Sequence, residues 1–333
     1  MILRSKQGKI PLMLIAGILV TLSAVIVWEV ESKKDLNVTD PSVHDPAINI
    51  ASRNYVTGDG PQDVIFDGER LWVSETKLGT VSSYGRDGQR LETANVGGSP
   101  ASLVSGAGFI WALDKKDGSV TQLDSAANIM RKFQVGIEPF GIEFLLDHLW
   151  VTDPLRRSVS QISVQGGLIN QLELEGSPRV MTKTPEQILV VDGDSHKVIG
   201  IDHGGDIVGS FDYPSRIALD GFDHRPGEPA AILSTPEAVW IAFSGIGQVI
   251  RLTPSGTYVS ITRIPTGPLS LAWVIGELWV VSADAGTITR ISSDGTIRIT
   301  HDIGGSPVAI AHDGENAWVV DDEKNELTVF LPE

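Results

Sequence analysis

Tryptophan recurs on a fixed beat. It stands at Trp72, Trp111, Trp150, Trp240, Trp279 and Trp318, with Leu189 in the slot the series skips, at intervals of 39, 39, 39, 51, 39 and 39 residues. A period of this length constrains the fold more than any composition, because one such unit cannot bury its own apolar faces and must stack on copies of itself. Eleven residues before each slot stands a proline: Pro61, Pro100, Pro139, Pro178, Pro229, Pro268 and Pro307. The third residue after each proline is Val64, Leu103, Ile142, Met181, Ile232, Leu271 or Ile310, apolar in every unit. Nine residues after each slot come Val81, Val120, Val159, Val198, Val249, Ile288 and Leu327, and twelve after it Tyr84, Leu123, Ile162, Ile201, Leu252, Ile291 and Phe330. Short β-rich runs such as Leu71 to Val73, separated by Asp67-Gly68, Asp87-Gly88 and Asp294-Gly295, predict strands joined by tight hairpins. Four antiparallel strands per unit, repeated in a ring, predict an all-β, seven-bladed β-propeller over residues 47–333.

The chain ends support a closed ring. After Phe330 only Leu331, Pro332 and Glu333 remain, so the seventh unit lacks its outer strand. Residues 47–56, just ahead of Pro61, stand where that strand is missing. Pairing the first strand with the last removes an exposed sheet edge.

The first 46 residues read differently. Arg4, Lys6 and Lys9 form a basic tail over residues 1–9, followed by an uncharged run from Ile10 to Trp28 that is long enough to span a bilayer. The run is longer than the apolar core of a signal peptide, and Ser23-Ala24 is a poor cleavage site, which predicts an uncleaved transmembrane signal anchor. Positive charge concentrated before the span predicts a single-pass protein with a cytoplasmic N-terminus and an extracytoplasmic propeller, at the cell surface or in the periplasm. Residues 29–46, mostly polar with Pro41 and Pro46, read as a stalk. With 26 Lys and Arg against 42 Asp and Glu, the net charge of −16 disfavours nucleic acid as a partner. Cysteine is absent, so no thiolate metal site or cysteine nucleophile exists.

Functional expectations gather where the repeat breaks. The interval of 51 places a twelve-residue insertion in the outer-to-inner connection between blades four and five. That connection lies on what we call the upper face, with the turns between second and third strands. Around it Arg216, Asp223, His224 and Arg225 combine charge with the aromatic ring of Phe222, a mixture suited to gripping a ligand or tolerated as a surface loop. Arg179, directly after Pro178, is the one cation in its column, and His196 lies in the upper turn of blade four. Three residues after the tryptophan slot stand Glu75, Asp114, Asp153, Asp192 and Asp321, interrupted by Phe243 and Ser282. Such carboxylates either cap backbone amides of the next turn or form a rim able to hold calcium through oxygen ligands. The interruption points to a site over blades four to six. The candidate ligand-binding set is therefore Arg179, His196, Arg216, Asp223, His224, Arg225 and Phe243, with no catalytic residue assigned and no cofactor required.

Gly-Ser-Pro-x-x-Leu at Gly98 to Leu103, Asp-Gly-x-x-Leu-Trp-Val at Asp67 to Val73 and Gly-Thr-Val-x-x-Tyr at Gly79 to Tyr84 resemble the YVTN, NHL and virginiamycin B lyase-like propellers. The resemblance covers residues 47–333 and implies the fold. In the streptogramin lyases it also implies histidines directly after the proline in neighbouring blades. Here those positions hold Gln62, Ala101, Phe140, Arg179, Ala230, Leu269 and Val308. The base that would move a proton is missing from that column. Two readings remain: a binding module for a protein, peptide or envelope ligand, and a lyase or lactonase-like enzyme, which the missing histidines disfavour.

Overall fold

The computed structural model describes residues 51–219, 222–224, 227–245 and 247–332, together with Val38–Thr39. The spanning helix expected over residues 10–28 lies outside the described residues, as do residues 47–50 of the expected first strand. Seven four-stranded antiparallel blades follow one another in chain order. Blade one comprises Pro61–Phe66, Leu71–Glu75, Thr80–Tyr84 and Arg90–Asn95. Blades two, four, five and six repeat the plan from Pro100, Pro178, Pro229 and Pro268.

The ring closes as the chain ends required. Ser52–Val56 pairs antiparallel with Glu326–Phe330, with Ser52 opposite Phe330 and Val56 opposite Glu326, and supplies the outer strand of blade seven. Closure reaches down to single hydrogen bonds. In six blades the residue after the outer strand donates its amide to the upper turn of its own blade, as Val96 N does to Gly79 O and Val135 N to Gly118 O. Thr57 N makes the equivalent bond to Asn325 O, joining residues from opposite ends of the chain.

Side chains explain why the blades stack. Among the described residues the apolar core divides into seven clusters, one between each pair of neighbouring blades. Each tryptophan packs from its own second strand onto the next blade: Trp72 sits between blades one and two, Trp111 between two and three, and Trp318 between seven and one. Leu189 takes the same place between blades four and five, where Tyr213 and Phe243 supply the missing aromatic volume. All six tryptophans are essentially inaccessible. At roughly 25 cal/mol per Å² each of these rings is a large apolar contribution to its interface.

The recurring proline opens the inner strand in six blades, and in six pairings a register shift follows at once, as between Pro61 and Asp63. Proline lacks the amide a regular ladder would use, so it falls where the ladder is irregular. Blade three departs from the plan. Its inner strand begins only at Ile142, because Phe140 N bonds to Thr152 O and Gly141 N to the Thr152 hydroxyl. That hydroxyl in turn donates to Arg179 O at 2.6 Å, tying the starts of blades three and four together.

The insertion forms a hairpin, Ile217–Leu219 with Phe222–His224, between the outer strand of blade four and the inner strand of blade five. A second addition lies inside the stretch read as a stalk: Val38–Thr39 pairs in parallel with Ile261 and Thr262, extending blade five to five strands.

Candidate functional site

The inner strands surround an axial cavity of about 320 Å³ lined by residues one to three places after each proline. Its wall is divided by character. Blades one to three contribute the polar Gln62, Asp63 and Ser102 beside Leu103, Phe140 and Ile142, with Lys115 from the upper turn of blade two, whereas blades five to seven contribute alanines, Ile232, Leu269, Leu271 and Val308 with one hydroxyl, Ser270.

At the upper mouth two cations converge on one ring. Lys115 Nζ lies 4.3 Å from the centre of the Phe140 ring and Arg179 Cζ lies 4.5 Å from it. Cations so placed gain about 0.5–2 kcal/mol each from the ring, more as water is excluded. Burial holds the Lys115 ammonium below its ordinary value, against the opposing pull of Asp63 and with a smaller push from the charge of Arg179. Lys115 makes no hydrogen bond or ion pair with the described residues. Arg179 Nη1 meets Glu228 Oε2 at 3.2 Å, yet its Nε is buried with no acceptor among the described residues. Glu228 closes the inserted segment and remains 70% exposed, so its half of this pair is open to exchange.

Asp63 stands across from Lys115. Its carboxylate accepts the amides of Val64 and Leu103, both at 2.8 Å, the second from the neighbouring blade. Burial nevertheless raises its pKa to about 6, because two amides and a distant lysine offset only part of the lost hydration.

The acidic column serves the backbone. Asp114 accepts the amides of Ser99, Lys116 and Asp117; Asp192 accepts those of Gly176, Ser177 and Ser195; Asp153 and Asp321 do the same in their blades. Glu75 adds Gly58 N, the hydroxyls of Ser82 and Tyr84, and Arg90 to this role. These carboxylates thus serve the turns, which is the capping alternative, although Asp321 Oδ2 has no hydrogen-bond partner among the described residues. Among the described residues no three acidic or histidine side chains gather closely enough to hold a metal ion.

The residues singled out from sequence fall in three places. Arg179 is at the mouth, as above. His196 lies in the upper turn of blade four with φ 55°, its ring 5.5 Å from that of Tyr213, which lies 5.4 Å from Phe243. Phe243 is fully buried, so it supports Tyr213 from beneath instead of meeting solvent. Burial and the nearby Asp192 and Glu228 push the Tyr213 phenol well above its usual value. Arg216 is exposed before the hairpin; Asp223 and His224 lie on its second strand, and Arg225 is outside the described residues. The cluster itself covers blades two to five, earlier in the ring than the interruption of the acidic column indicated.

Lys115, Phe140, Asp63 and Glu228 were absent from the candidate set. Lys115 is the one cation four places after the tryptophan slot, and Asp63 the one charge two places after the proline. Reading every column for its exception would have found both.

No family model matches the sequence, and no curated protein matches it. Solved structures do match. A catalytically inactive virginiamycin B lyase from Staphylococcus aureus, bound to quinupristin, superposes with a TM-score of 0.72 at 19% identity, covering 86% of this chain and 100% of that one. The chain has the virginiamycin B lyase-like propeller fold. Hydrazine synthase of Kuenenia stuttgartiensis (TM-score 0.68, 13% identity, 82% and 96% coverage) and BamB of Moraxella catarrhalis (0.57, 12%, 83% and 85%) share its architecture. At these identities the likeness is one of fold. At the mouth of this lyase-like propeller Phe140 and Arg179 occupy the post-proline positions of adjacent blades.

Proposed function

We propose that the chain is a membrane-anchored, extracytoplasmic binding module that takes a protein, peptide or envelope ligand at the upper mouth of the propeller. The observation that carries this reading is the convergence there of Lys115, Phe140, Arg179 and Glu228 beside the inserted hairpin. Unspent donors on a rigid scaffold are suited to recognition. The absence of histidine from the seven post-proline positions favours binding over the lyase reaction, which needs a base. The anchor rests on the apolar run of residues 10–28 and the basic residues before it.

Deleting residues 217–224 is the test of the binding face. The hairpin adds no strand to any blade, so thermal unfolding of the variant stays within about 2 °C of the parent, while partners captured by cross-linking on intact cells are lost. An unchanged partner set contradicts the reading. Protease added to intact cells or spheroplasts should digest the propeller domain if it is extracytoplasmic, and should leave it intact if it is not.

A further inference from the structure

The mouth is asymmetric in a way that specifies chemistry. Lys115 and Arg179 bring two positive charges to one ring in a chain whose net charge is −16. Neither is fully satisfied: Lys115 has no ion pair or hydrogen bond among the described residues, and the buried Arg179 Nε has no acceptor. A buried donor left unpaired costs about 1–3 kcal/mol, a cost that falls here on the Arg179 Nε, while the part-exposed Lys115 ammonium is open to an anion. Across the axis, in the 320 Å³ cavity that Lys115 and Phe140 help to line, Leu269, Leu271 and Val308 offer apolar side chains, and the one hydroxyl among them, that of Ser270, accepts the amide of Ile310. Glu228 already shows the mode of engagement, with one carboxylate oxygen 3.2 Å from Arg179 Nη1.

We propose that the cavity mouth binds a carboxylate carried on a small apolar body, the carboxylate between Lys115 and Arg179 and the apolar part against Leu269 and Val308. Glu228 is then an internal competitor, which the ligand displaces from Arg179 while the exposed glutamate side chain returns to water. The proposal rests on the reading of this face as a ligand site and names its ligand class. A peptide C-terminus ending in an aliphatic residue and a free short-chain acid share this chemistry.

Isothermal titration of the full chain in detergent separates them. The probes are N-acetyl-L-leucine, standing for a C-terminus, hexanoate for a free acid, and N-acetyl-L-leucinamide as the uncharged control. At least one acid is expected to bind at millimolar concentration or tighter, with the amide about tenfold weaker or worse, since charge-assisted bonds carry the recognition. The tighter acid identifies the source. Lys115→Met and Arg179→Met are each expected to weaken the acid about tenfold, Lys115→Arg to retain it, and Glu228→Gln to tighten it by relieving competition. The Glu228→Gln gain keeps the test decisive where a cation variant fails to fold. Equal binding of acid and amide, or no binding of either acid at about 10 mM, overturns the proposal. If neither acid binds while hairpin deletion still removes the captured partners, this inference fails and the binding module stands. Acid binding with an unchanged partner set gives the reverse.

Discussion

Arg157 and His196 occupy a turn position that backbone geometry, not ligand chemistry, governs. Seven residues after each tryptophan slot the chain adopts a left-handed φ, from 53° to 68°, at Gly79, Gly118, Arg157, His196, Gly247, Gly286 and Asn325. A side chain there costs about 1–2 kcal/mol, partly balanced by the entropy glycine loses on folding. Arg157→Gly is therefore expected to stabilise the protein by roughly 0.5 kcal/mol, measured by urea unfolding, and a loss of stability would show that the arginine contributes something else. The same geometry gives His196 a structural reason to be noticed that its sequence position alone did not show. Asp63 makes a different demand on the fold. Its carboxyl ionises near 3.9 in the unfolded chain and at about 6 in the folded one, so between those values the folded state holds the extra proton. Stability through this group is greatest at low pH, falls as pH rises towards 6 and levels off above it, a loss of about 1 kcal/mol between pH 5 and pH 7. Asp63→Asn should remove that component from unfolding free energies compared at the two pH values. An identical pH slope in both proteins would refute the assignment.

At the scale of the element, a blade is legible in sequence because its determinants recur. The proline, the tryptophan and the apolar columns answer the same packing problem seven times, so each repetition confirms the others, and the pairing of Ser52–Val56 with the last strand followed from counting strands. The mouth was less legible for the opposite reason. Lys115, Phe140, Arg179 and Glu228 come from four separate segments and three different column positions, and only the curvature of the ring brings them together. Nor did any periodic signal mark the late start of blade three, which depends on one hydroxyl, that of Thr152, bonding across a blade boundary. Because each tryptophan belongs to the interface with the next blade, its removal is felt between blades. Trp150→Ala is expected to cost about 3–5 kcal/mol by denaturant unfolding, and a cost under about 1 kcal/mol would mean that the interface of blades three and four is held by something other than this ring.

For the whole molecule, the ring is what turns scattered residues into a site. Seven interfaces, each with its own apolar cluster, fix the inner strands around the axis, and residues 52–56 complete the blade that forms the seventh, adding Tyr55 to its apolar cluster. Were that strand to leave, blade seven would keep an open edge and the ring would lose the pairing that joins its two chain ends. The cysteine-free sequence offers a direct measurement of this closure. Asn54 and Thr328 lie opposite one another in the antiparallel pair, so a chain carrying Asn54→Cys and Thr328→Cys has two thiols and no others. Mild oxidation of the native protein should join them within the monomer, with the disulfide read by non-reducing electrophoresis and peptide mass, and should raise the unfolding midpoint by restricting the unfolded chain. Two thiols that stay free in the folded protein, or that link only between molecules, would contradict the closed seven-bladed ring.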